Sequence, residues 1–345
     1  MKVVISGYYG FGNLGDEALL SGLTQGLVSR GHEPVVLSGD PAATTALHGV
    51  GSRHRTRGLT GAILGADALV SGGGGLLQDG TSSRSLRYYL GVIRLARLLG
   101  RPAIVYGQSL GPLSDSGRAR VAAALRGVPL LLRDEPSRVL AASLGAHARL
   151  VADPALLLPA PSALPSLEPR PVVLVPRGGQ QTLNGSLERL AARLVAAGRT
   201  VKVVSFHPAE DDQSVARLVA AVPAVSSVPV RTPIEALEAF VRASYVVSVR
   251  LHGCILAAVA GVGFAGLSYD RKVAGFLVQA GAPSFEPPAD DEDLARLALA
   301  GPVQDQAATT RLVDLADSGI DQLVAELEPR GGGGGRGRTR TASTR

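Results

Sequence analysis

The chain opens with the stretch that decides its fold, Val3-Val4-Ile5-Ser6-Gly7-Tyr8-Tyr9-Gly10-Phe11-Gly12-Asn13-Leu14-Gly15-Asp16-Glu17. A short apolar run leads into a glycine-rich turn, and the turn leads into Ala18–Arg30, whose leucines share one helical face. A strand, a tight turn and a covering helix are the repeating unit of parallel sheets that carry helices on both faces. The opening stretch therefore predicts an α/β fold.

The same alternation continues through most of the chain. Further candidate strands are Val35–Ser38, Ala68–Ser71, Ala103–Tyr106, Pro129–Leu132 and Arg149–Ala152, then Val172–Val175, Val201–Ser205, Tyr245–Val249 and Phe264–Ser268. A length of 345 residues suits two domains. The predicted order is a Rossmann-like domain at 1–160, a proline-rich linker at 161–171, a second Rossmann-like domain at 172–303, a helix at 304–328 that could return to the first domain, and a disordered Arg/Gly tail at 329–345. A cleft between two such sheets is the expected ligand site.

Composition narrows the class of protein. The single cysteine, Cys254, leaves no partner for an intramolecular disulfide and no basis for a cysteine zinc cluster. No apolar segment reaches about 20 residues, so we expect a cytoplasmic protein. Part of the net charge of +6 lies in the arginine-rich tail, so the body is only mildly basic, which favours small anionic partners over nucleic acid.

Polar and glycine-rich segments follow several predicted strands. The four glycines of Ser71–Asp79 permit a close approach to the backbone, and Gly107–Pro112 forms another small-residue loop on the same predicted edge. Residues predicted to contact an acceptor or an anion are Gly12, Asn13, Gly15, Glu17, Gly73, Gly74, Gln108 and Ser109. The alternative for the first turn is a tight turn that Asn13 or Asp16 caps, with no ligand.

Basic residues end three other predicted strands. Arg133 follows Leu130–Leu132, and its charge needs an anion, which either a ligand or the neighbouring Asp134 or Glu135 supplies. Arg250 and His252 lie at a junction between a strand and a helix, where backbone N–H groups favour phosphate or carboxylate. Lys272 ends the next unit and is one of only three lysines, which favours a function that arginine cannot replace.

Taken in order, these motifs resemble the polysaccharide pyruvyl transferase family, CsaB type, over about residues 2–280. They are Gly7–Glu17, Gly72–Gly75, Gly107–Pro112, Arg133-Asp134, Arg250-Leu251-His252-Gly253 and Tyr269–Lys272. The resemblance implies a GT-B-like fold, with two Rossmann-like domains facing across a cleft that binds phosphoenolpyruvate. It also implies that Arg133, Arg250, the backbone of Leu251, and His252 hold this co-substrate.

The resemblance further implies transfer of a pyruvyl group from phosphoenolpyruvate to a sugar diol, with release of phosphate. The expected product is a 4,6-ketal on N-acetylmannosamine of a secondary cell-wall polymer that S-layer proteins recognise. The reaction needs a general acid, for which His252 is the first candidate, with binding of phosphate as its alternative role. Asp16, Glu17 and Asp79 are the alternative acid/base groups, and Lys272 is a further catalytic position. No metal or other cofactor is expected, and the partners are phosphoenolpyruvate and a cell-wall glycan or its lipid-linked precursor, with peripheral contact at the inner membrane face left open.

Two rival functions remain at this stage. A nucleotide-sugar glycosyltransferase of the same architecture would bind a diphosphate with the same basic residues and release a nucleotide. A non-catalytic anion-binding module would bind phosphoenolpyruvate without turnover.

Overall fold

The computed structural model describes residues 1–161, 169–287, 291–301 and 304–328, which form two parallel sheets of seven and six strands. The strands of the first sheet are β1 (Lys2–Ser6), β2 (Glu33–Ser38), β3 (Gly51–His54), β4 (Ala68–Leu77), β5 (Ala103–Leu110), β6 (Leu130–Leu132) and β7 (Ala148–Leu150). The strands of the second sheet are β8 (Val172–Val175), β9 (Val201–Val204), β10 (Ser226–Val228), β11 (Tyr245–Ser248), β12 (Phe264–Leu267) and β13 (Ser284–Phe285). The prediction of two parallel α/β units is confirmed.

Helices connect the strands and cover the sheets. In the first half they are α1 (Leu14–Ser29), α2 (Pro41–His48), α3 (Leu59–Leu64), α4 (Ser83–Leu98), α5 (Asp115–Leu125) and α6 (Glu135–Ser143), followed by a 3-10 turn at Pro154–Leu157. In the second half they are α7 (Gln181–Ala196), α8 (Pro208–Ala221), α9 (Pro233–Val241), α10 (Leu251–Val259), α11 (Arg271–Gln279), α12 (Asp291–Ala300) and α13 (Gln306–Leu327).

The strand order places a switch point in the middle of each sheet. The orders are β3-β2-β1-β4-β5-β6-β7 and β10-β9-β8-β11-β12-β13, so the chain leaves β1 and β8 to one side and later returns to the other. Open parallel sheets bind ligands outside the carboxyl ends of their strands at such points. The topology therefore predicts a ligand site among the residues that follow β1, β4, β8 and β11.

The structure corrects two of the predicted loops. The glycine run belongs to β4, because Gly72 pairs with Tyr106 and Gly74 with Gln108 before the register shifts toward Leu77. Gln108 and Ser109 correspondingly lie within β5. Backbone pairing needs no side chain, and the space beside Gly73 is filled by α1, since a Cβ there would lie 1.9 Å from a methyl carbon of Leu19.

Three short strands, β3, β10 and β13, were not predicted. All three begin with a small or polar residue, and each lies at the edge of its sheet, where it pairs with one neighbouring strand. An edge strand buries little surface and so leaves a weak apolar pattern in the sequence. Of the remaining predictions, linker residues 162–168 and the tail at 329–345 lie outside the described residues, and the domain bounds stay predictions.

The two sheets are held together by a shared apolar core. It combines Leu14 and Leu19 of α1 with Phe206 and Phe240 from the second sheet's side and with Leu312 of α13, all of them buried. The backbone N–H of Leu14 also donates to the carbonyl oxygen of Phe206 at 2.8 Å. Helix α13 lies against α1 as well, where Arg30 binds Asp317 and Asp321 at 2.9 and 2.6 Å.

Candidate active site

A cleft of about 580 Å³ lies between the carboxyl edges of the two sheets. Its predicted lining residues are Asn13, Gly15, Asp16, Gly74, Arg133, Arg250, Leu251, His252 and Lys272. Other lining residues, which were not predicted as contacts, include Tyr8, Arg177, Glu210 and Tyr269. Residues from both halves of the sequence therefore meet in one cavity at the two switch points.

Helix α1 points its first turn into the cleft. Asn13 caps the helix by accepting a hydrogen bond from the N–H of Gly15 at 3.1 Å, and its amide donates to Asp16 at 2.7 Å. Burial raises the pKa of Asp16 to about 6, although His252 and Arg133 counteract part of the rise. The cleft thus contains a carboxyl group whose pKa lies closer to neutral pH than that of an ordinary aspartate.

His252 rests directly on the backbone of α1. A Cβ at Gly15 would lie 2.3 Å from Nδ1 of His252, so only glycine leaves room for the imidazole ring. On the other side, Nε2 of His252 lies 3.4 Å from the Asp153 carboxylate. Gly15 therefore contributes to the site by leaving room for the His252 ring.

Arg250 does not present a free charge to the cleft. Its guanidinium binds Asp211 through Nε at 2.7 Å and through Nη2 at 2.5 Å, and Nη2 also binds Glu210 at 3.0 Å. Asp211 is fully buried and also accepts the N–H groups of Gly178 and His207, both at 2.9 Å. This network fixes Arg250 rigidly and neutralises it at the same time.

Arg133 is likewise paired, but with a carboxylate other than the two neighbours considered from the sequence. Its Nη1 binds Asp153 at 2.5 Å, and its Nε donates to Ser109 at 2.9 Å. Ser109 in turn donates to Asp134 at 2.5 Å. Burial opposes ionisation of Asp153, yet Arg133 and His252 hold its pKa well below its usual range.

Arg177 and Lys272 are the lining cations that lack a carboxylate within ion-pair distance in the described part of the chain. Arg177 follows β8, packs over the ring of Tyr269 at 4.8 Å, and donates to the Tyr269 hydroxyl. Burial, followed by the charge of Arg133, lowers the pKa of Lys272. Arg177 was not predicted as a site residue, although it lies two residues after the strand Val172–Val175, close to the kind of position from which Arg133 and Arg250 were predicted.

The first turn of α10 adds backbone donors beside these cations. Arg250 occupies the N-cap position without a capping side-chain hydrogen bond. Among the described residues, the N–H groups of Leu251 and His252 have no hydrogen-bond partner, whereas those of Gly253 and Cys254 bond back to Arg250. The positive end of the helix dipole therefore faces the cleft with two free donors.

Several predicted residues do not line the cleft. Glu17 binds His48 at 2.8 Å and the N–H of Gly10 at 2.8 Å. Asp79 accepts two hydrogen bonds from Ser114, at the start of α5, and these bonds lower its pKa. Buried Gln108 donates to Ser71, Gly73 packs on Leu19, and Gly12 does not belong to the lining. Ser109 is also outside the lining and accepts a hydrogen bond from Arg133. The roles assigned to these residues stay predictions.

The assembled site suits a small, multiply charged anion and proton transfer. Two unpaired cations and two helix N–H groups offer hydrogen bonds to the anion, and paired arginines add fixed donors. Asp16 and His252 line the same cleft, and the His252 ring packs against Gly15, the residue before Asp16. In the described residues no three metal-ligating side chains cluster suitably for an ion, and the prediction that no cofactor is needed stays a prediction. No helix in the described part is long and apolar enough to cross a membrane.

Comparison with known proteins gives a family and a fold. Residues 13–271 match the family described as polysaccharide pyruvyl transferase. No curated protein matches the sequence. The solved structures of similar fold include UDP-GlcNAc 2-epimerase from Neisseria meningitidis bound to UDP-GlcNAc, with a TM-score of 0.58, 10% identity, and 95% of this chain and 99% of that chain covered.

Two further solved structures have a similar fold. Anabaena Alr3699/HepE in complex with UDP and glucose has a TM-score of 0.57 and 13% identity, and 94% of this chain and 98% of that chain are covered. MurG from Acinetobacter baumannii has a TM-score of 0.51 and 15% identity, with 94% and 99% covered. At such identities the likeness shows the fold alone, and it confirms the GT-B-like architecture.

Proposed function

Because this chain belongs to the polysaccharide pyruvyl transferase family, we propose that it transfers the pyruvyl group of phosphoenolpyruvate to a sugar diol and releases phosphate. The observation that carries the proposal is the convergence of Arg177, Lys272 and the first turn of α10 on one cleft. Phosphoenolpyruvate carries a carboxylate and a phosphate, and these groups match the free cations and the two helix N–H groups.

The charge distribution supports different roles for the paired and the unpaired basic residues. Asp211 and Glu210 neutralise Arg250, and Asp153 neutralises Arg133, so these arginines act as rigid hydrogen-bond donors. Arg177 and Lys272 supply the charge that a trianionic donor requires. Leu251 would contribute its backbone N–H, in agreement with what the resemblance implies.

The proposed chemistry begins with protonation of the donor. Asp16 in its protonated form gives a proton to C3 of the enol, and C2 becomes electrophilic. A first sugar hydroxyl attacks C2 and loses its proton to His252, which returns it to Asp16. The C2–O bond to phosphate then breaks, and a second hydroxyl closes the ketal, its proton leaving with phosphate. A carboxyl pKa of about 6 suits this exchange at neutral pH.

The proposed acceptor is a cell-wall glycan with free 4- and 6-hydroxyls, for which β-linked N-acetylmannosamine is the first probe, as in a CsaB-type enzyme. The test measures phosphate released from phosphoenolpyruvate with and without this acceptor and weighs the product for a pyruvyl ketal. Acceptor-dependent phosphate together with the mass gain supports the proposal. Release of nucleotide from a nucleotide sugar would favour a glycosyltransferase instead, and binding of phosphoenolpyruvate with no turnover on a panel of diols would favour an anion-binding module.

Arg177→Gln tests the assignment of the free cations. Loss of a charge-assisted contact made by an unpaired guanidinium should raise the KM for phosphoenolpyruvate by about tenfold or more. The matched control is Arg231→Gln, which removes an exposed arginine of the same half of the chain. An unchanged KM in Arg177→Gln would show that the donor binds without this residue.

A further inference from the structure

A row of stacked side chains extends outward from the cleft along the wall formed by the first sheet. The rings of Tyr8 and Phe11 stack with centroids 4.4 Å apart and planes 15° from parallel. The Arg55 guanidinium follows, 5.3 Å from the Phe11 ring centroid and 4.1 Å from that of Tyr88. We refer to Tyr8, Phe11, Arg55 and Tyr88 as the stacking platform. All four side chains are half-buried, so each keeps an accessible part.

Arg55 is uncompensated within this platform. Its guanidinium has no carboxylate within ion-pair distance in the described ranges, and its Nε is buried without an acceptor. The Tyr88 hydroxyl donates to the backbone carbonyl of Arg55 at 2.8 Å, which secures the segment behind the guanidinium. Arg133 and Arg250, by contrast, are paired with buried carboxylates. A held and unpaired guanidinium is a ready site for an anion.

The position of the platform separates it from the donor's cations. Tyr8 and Phe11 lie between β1 and α1, and Arg55 directly follows β3, so all three sit at the carboxyl edge of the first sheet. Arg177, Arg250 and Lys272 belong to the second sheet's side of the cleft. Tyr8 lines the cleft together with Asp16, which places one end of the platform beside the proposed proton donor.

These contacts suit a sugar better than a second small anion. The accessible part of an aromatic ring offers an apolar surface for the C–H face of a pyranose, and the neighbouring guanidinium reaches an anionic group attached to that sugar. Asp16 lies near the Tyr8 end of the platform, and Glu210 lines the same cleft. These two carboxyl groups disfavour binding of a bare anion at that end. An acceptor that is neutral at its reacting hydroxyls and anionic further out matches this order of groups.

We propose that the stacking platform is the acceptor subsite, and that it selects a glycan carrying a phosphate or diphosphate at its reducing end. This inference rests on the proposed function for the identity of the reacting sugar. A pyranose stacks beside Tyr8 with its diol toward Asp16, and its phosphate binds Arg55. A lipid-linked glycan is one source of such a group, and a soluble glycosyl phosphate is another.

The experiment compares two probes on the full chain without phosphoenolpyruvate. One is the methyl glycoside of β-N-acetylmannosamine, and the other is the same sugar as a β-diphosphate ester with a short alkyl group. Their dissociation constants are measured by calorimetry for the unmodified protein and for Arg55→Gln, with Arg57→Gln as the matched control. Arg57 is exposed and lies two residues away.

We expect the diphosphate probe to bind about tenfold or more tightly than the glycoside, with Arg55→Gln removing the difference and Arg57→Gln retaining it. High salt should also weaken the preference of the unmodified protein, a measurement that needs no variant. Equal binding of the two probes, no binding of the diphosphate, or an undiminished preference in Arg55→Gln would overturn the inference. Extending the alkyl group to a lipid in detergent distinguishes the two sources. Failure of the proposed function is a separate result, since it shows as absent phosphate release in the unmodified protein.

Discussion

The charged side chains of the cleft include two kinds: arginines that carboxylates hold in place, and a carboxyl group, Asp16, that can exchange its proton. Arg133 and Arg250 are held by carboxylates at 2.5 Å, so a ligand meets them in one defined geometry. Removing Asp153 would leave the guanidinium of Arg133 without its ion-pair partner, which is costly, and removing Asp211 would leave Arg250 with Glu210 alone. Asp16 differs because its carboxylate is desolvated without a direct ion pair among the described residues, and its main support is the amide of Asn13.

At the residue scale, Asp16→Asn should stabilise the protein near neutral pH and slow the reaction. The side chain ionises near 3.8 in ordinary surroundings but near 6 in the fold, so the folded protein binds more protons between these pH values. The free energy of unfolding therefore falls as pH rises through this window, and Asn removes that loss. We expect a higher Tm than the parent at about pH 7, a difference that shrinks toward about pH 4, and transfer slowed by about a hundredfold or more.

Thermal melts across this pH range and phosphate-release rates check the prediction. A variant that transfers pyruvate at the parental rate would remove Asp16 from the proton pathway. A Tm difference that does not change with pH would show instead that Asp16 has an ordinary pKa.

At the scale of elements, helix α1 connects the cleft with the first sheet and with α13. Its first turn lines the cleft, and Leu19 packs against Gly73 of β4. Farther along, Gly26 meets Ile320 of α13, where an added Cβ would lie 2.9 Å from that side chain. Glycines in a helix usually cost stability, and in α1 both Gly15 and Gly26 permit a close approach by another side chain.

Gly15→Ala should therefore damage the site more than the helix. Alanine favours helix formation, but its Cβ would lie 2.3 Å from Nδ1 of His252 and must displace the ring. A displacement of about 1 Å in a catalytic group can cost up to about a hundredfold, so we expect kcat to fall by at least about tenfold. Phosphate-release kinetics measure this change.

The control is Gly91→Ala in α4, where a Cβ meets no atom within 4 Å. It should raise the free energy of unfolding by about 0.5–1 kcal/mol and leave kcat unchanged. Equal kinetics for the two variants would show that contact with Gly15 does not position His252.

For the whole molecule, the shared core predicts that the two sheets unfold together. Helices α1 and α10, the turn at Pro154–Leu157 and α13 all contribute to one buried cluster between the sheets. Exposing either sheet alone would leave this apolar surface in water, which opposes independent unfolding. Calorimetry should give one transition, and binding of phosphoenolpyruvate should shift it upward without splitting it.

Ile320→Ala tests the contribution of α13 to this unit. Ile320 is fully buried, and the cavity left by its truncation should lower the free energy of unfolding by about 2–5 kcal/mol. Val278→Ala, at a side chain that is 78% exposed, should change it by less than about 0.5 kcal/mol. Two separate transitions, in the parent or in Ile320→Ala, would contradict a single cooperative unit.

The sequence by itself determined the class of the fold and the order of its motifs. Strand runs such as Val172–Val175 are apolar because both faces of a parallel sheet are buried, and that requirement is local enough to read from composition and period. Arg250, His252 and Lys272 were predictable as residues near one edge, since the carboxyl ends of parallel strands share an edge. The edge strands have too weak an apolar pattern to be predicted, and Arg177 was missed although it lies two residues after a buried strand.

Only the tertiary structure decided which charges remain free. Asp153 and Asp211 lie 20 and 39 residues from the arginines they neutralise, and no spacing rule joins partners brought together by separate strand ends. The same holds for His252 resting on Gly15 and for Arg55 held between Phe11 and Tyr88. Periodicity reports which face of an element is buried, whereas electrostatics depends on distances across elements, and those distances exist only after the two sheets pack.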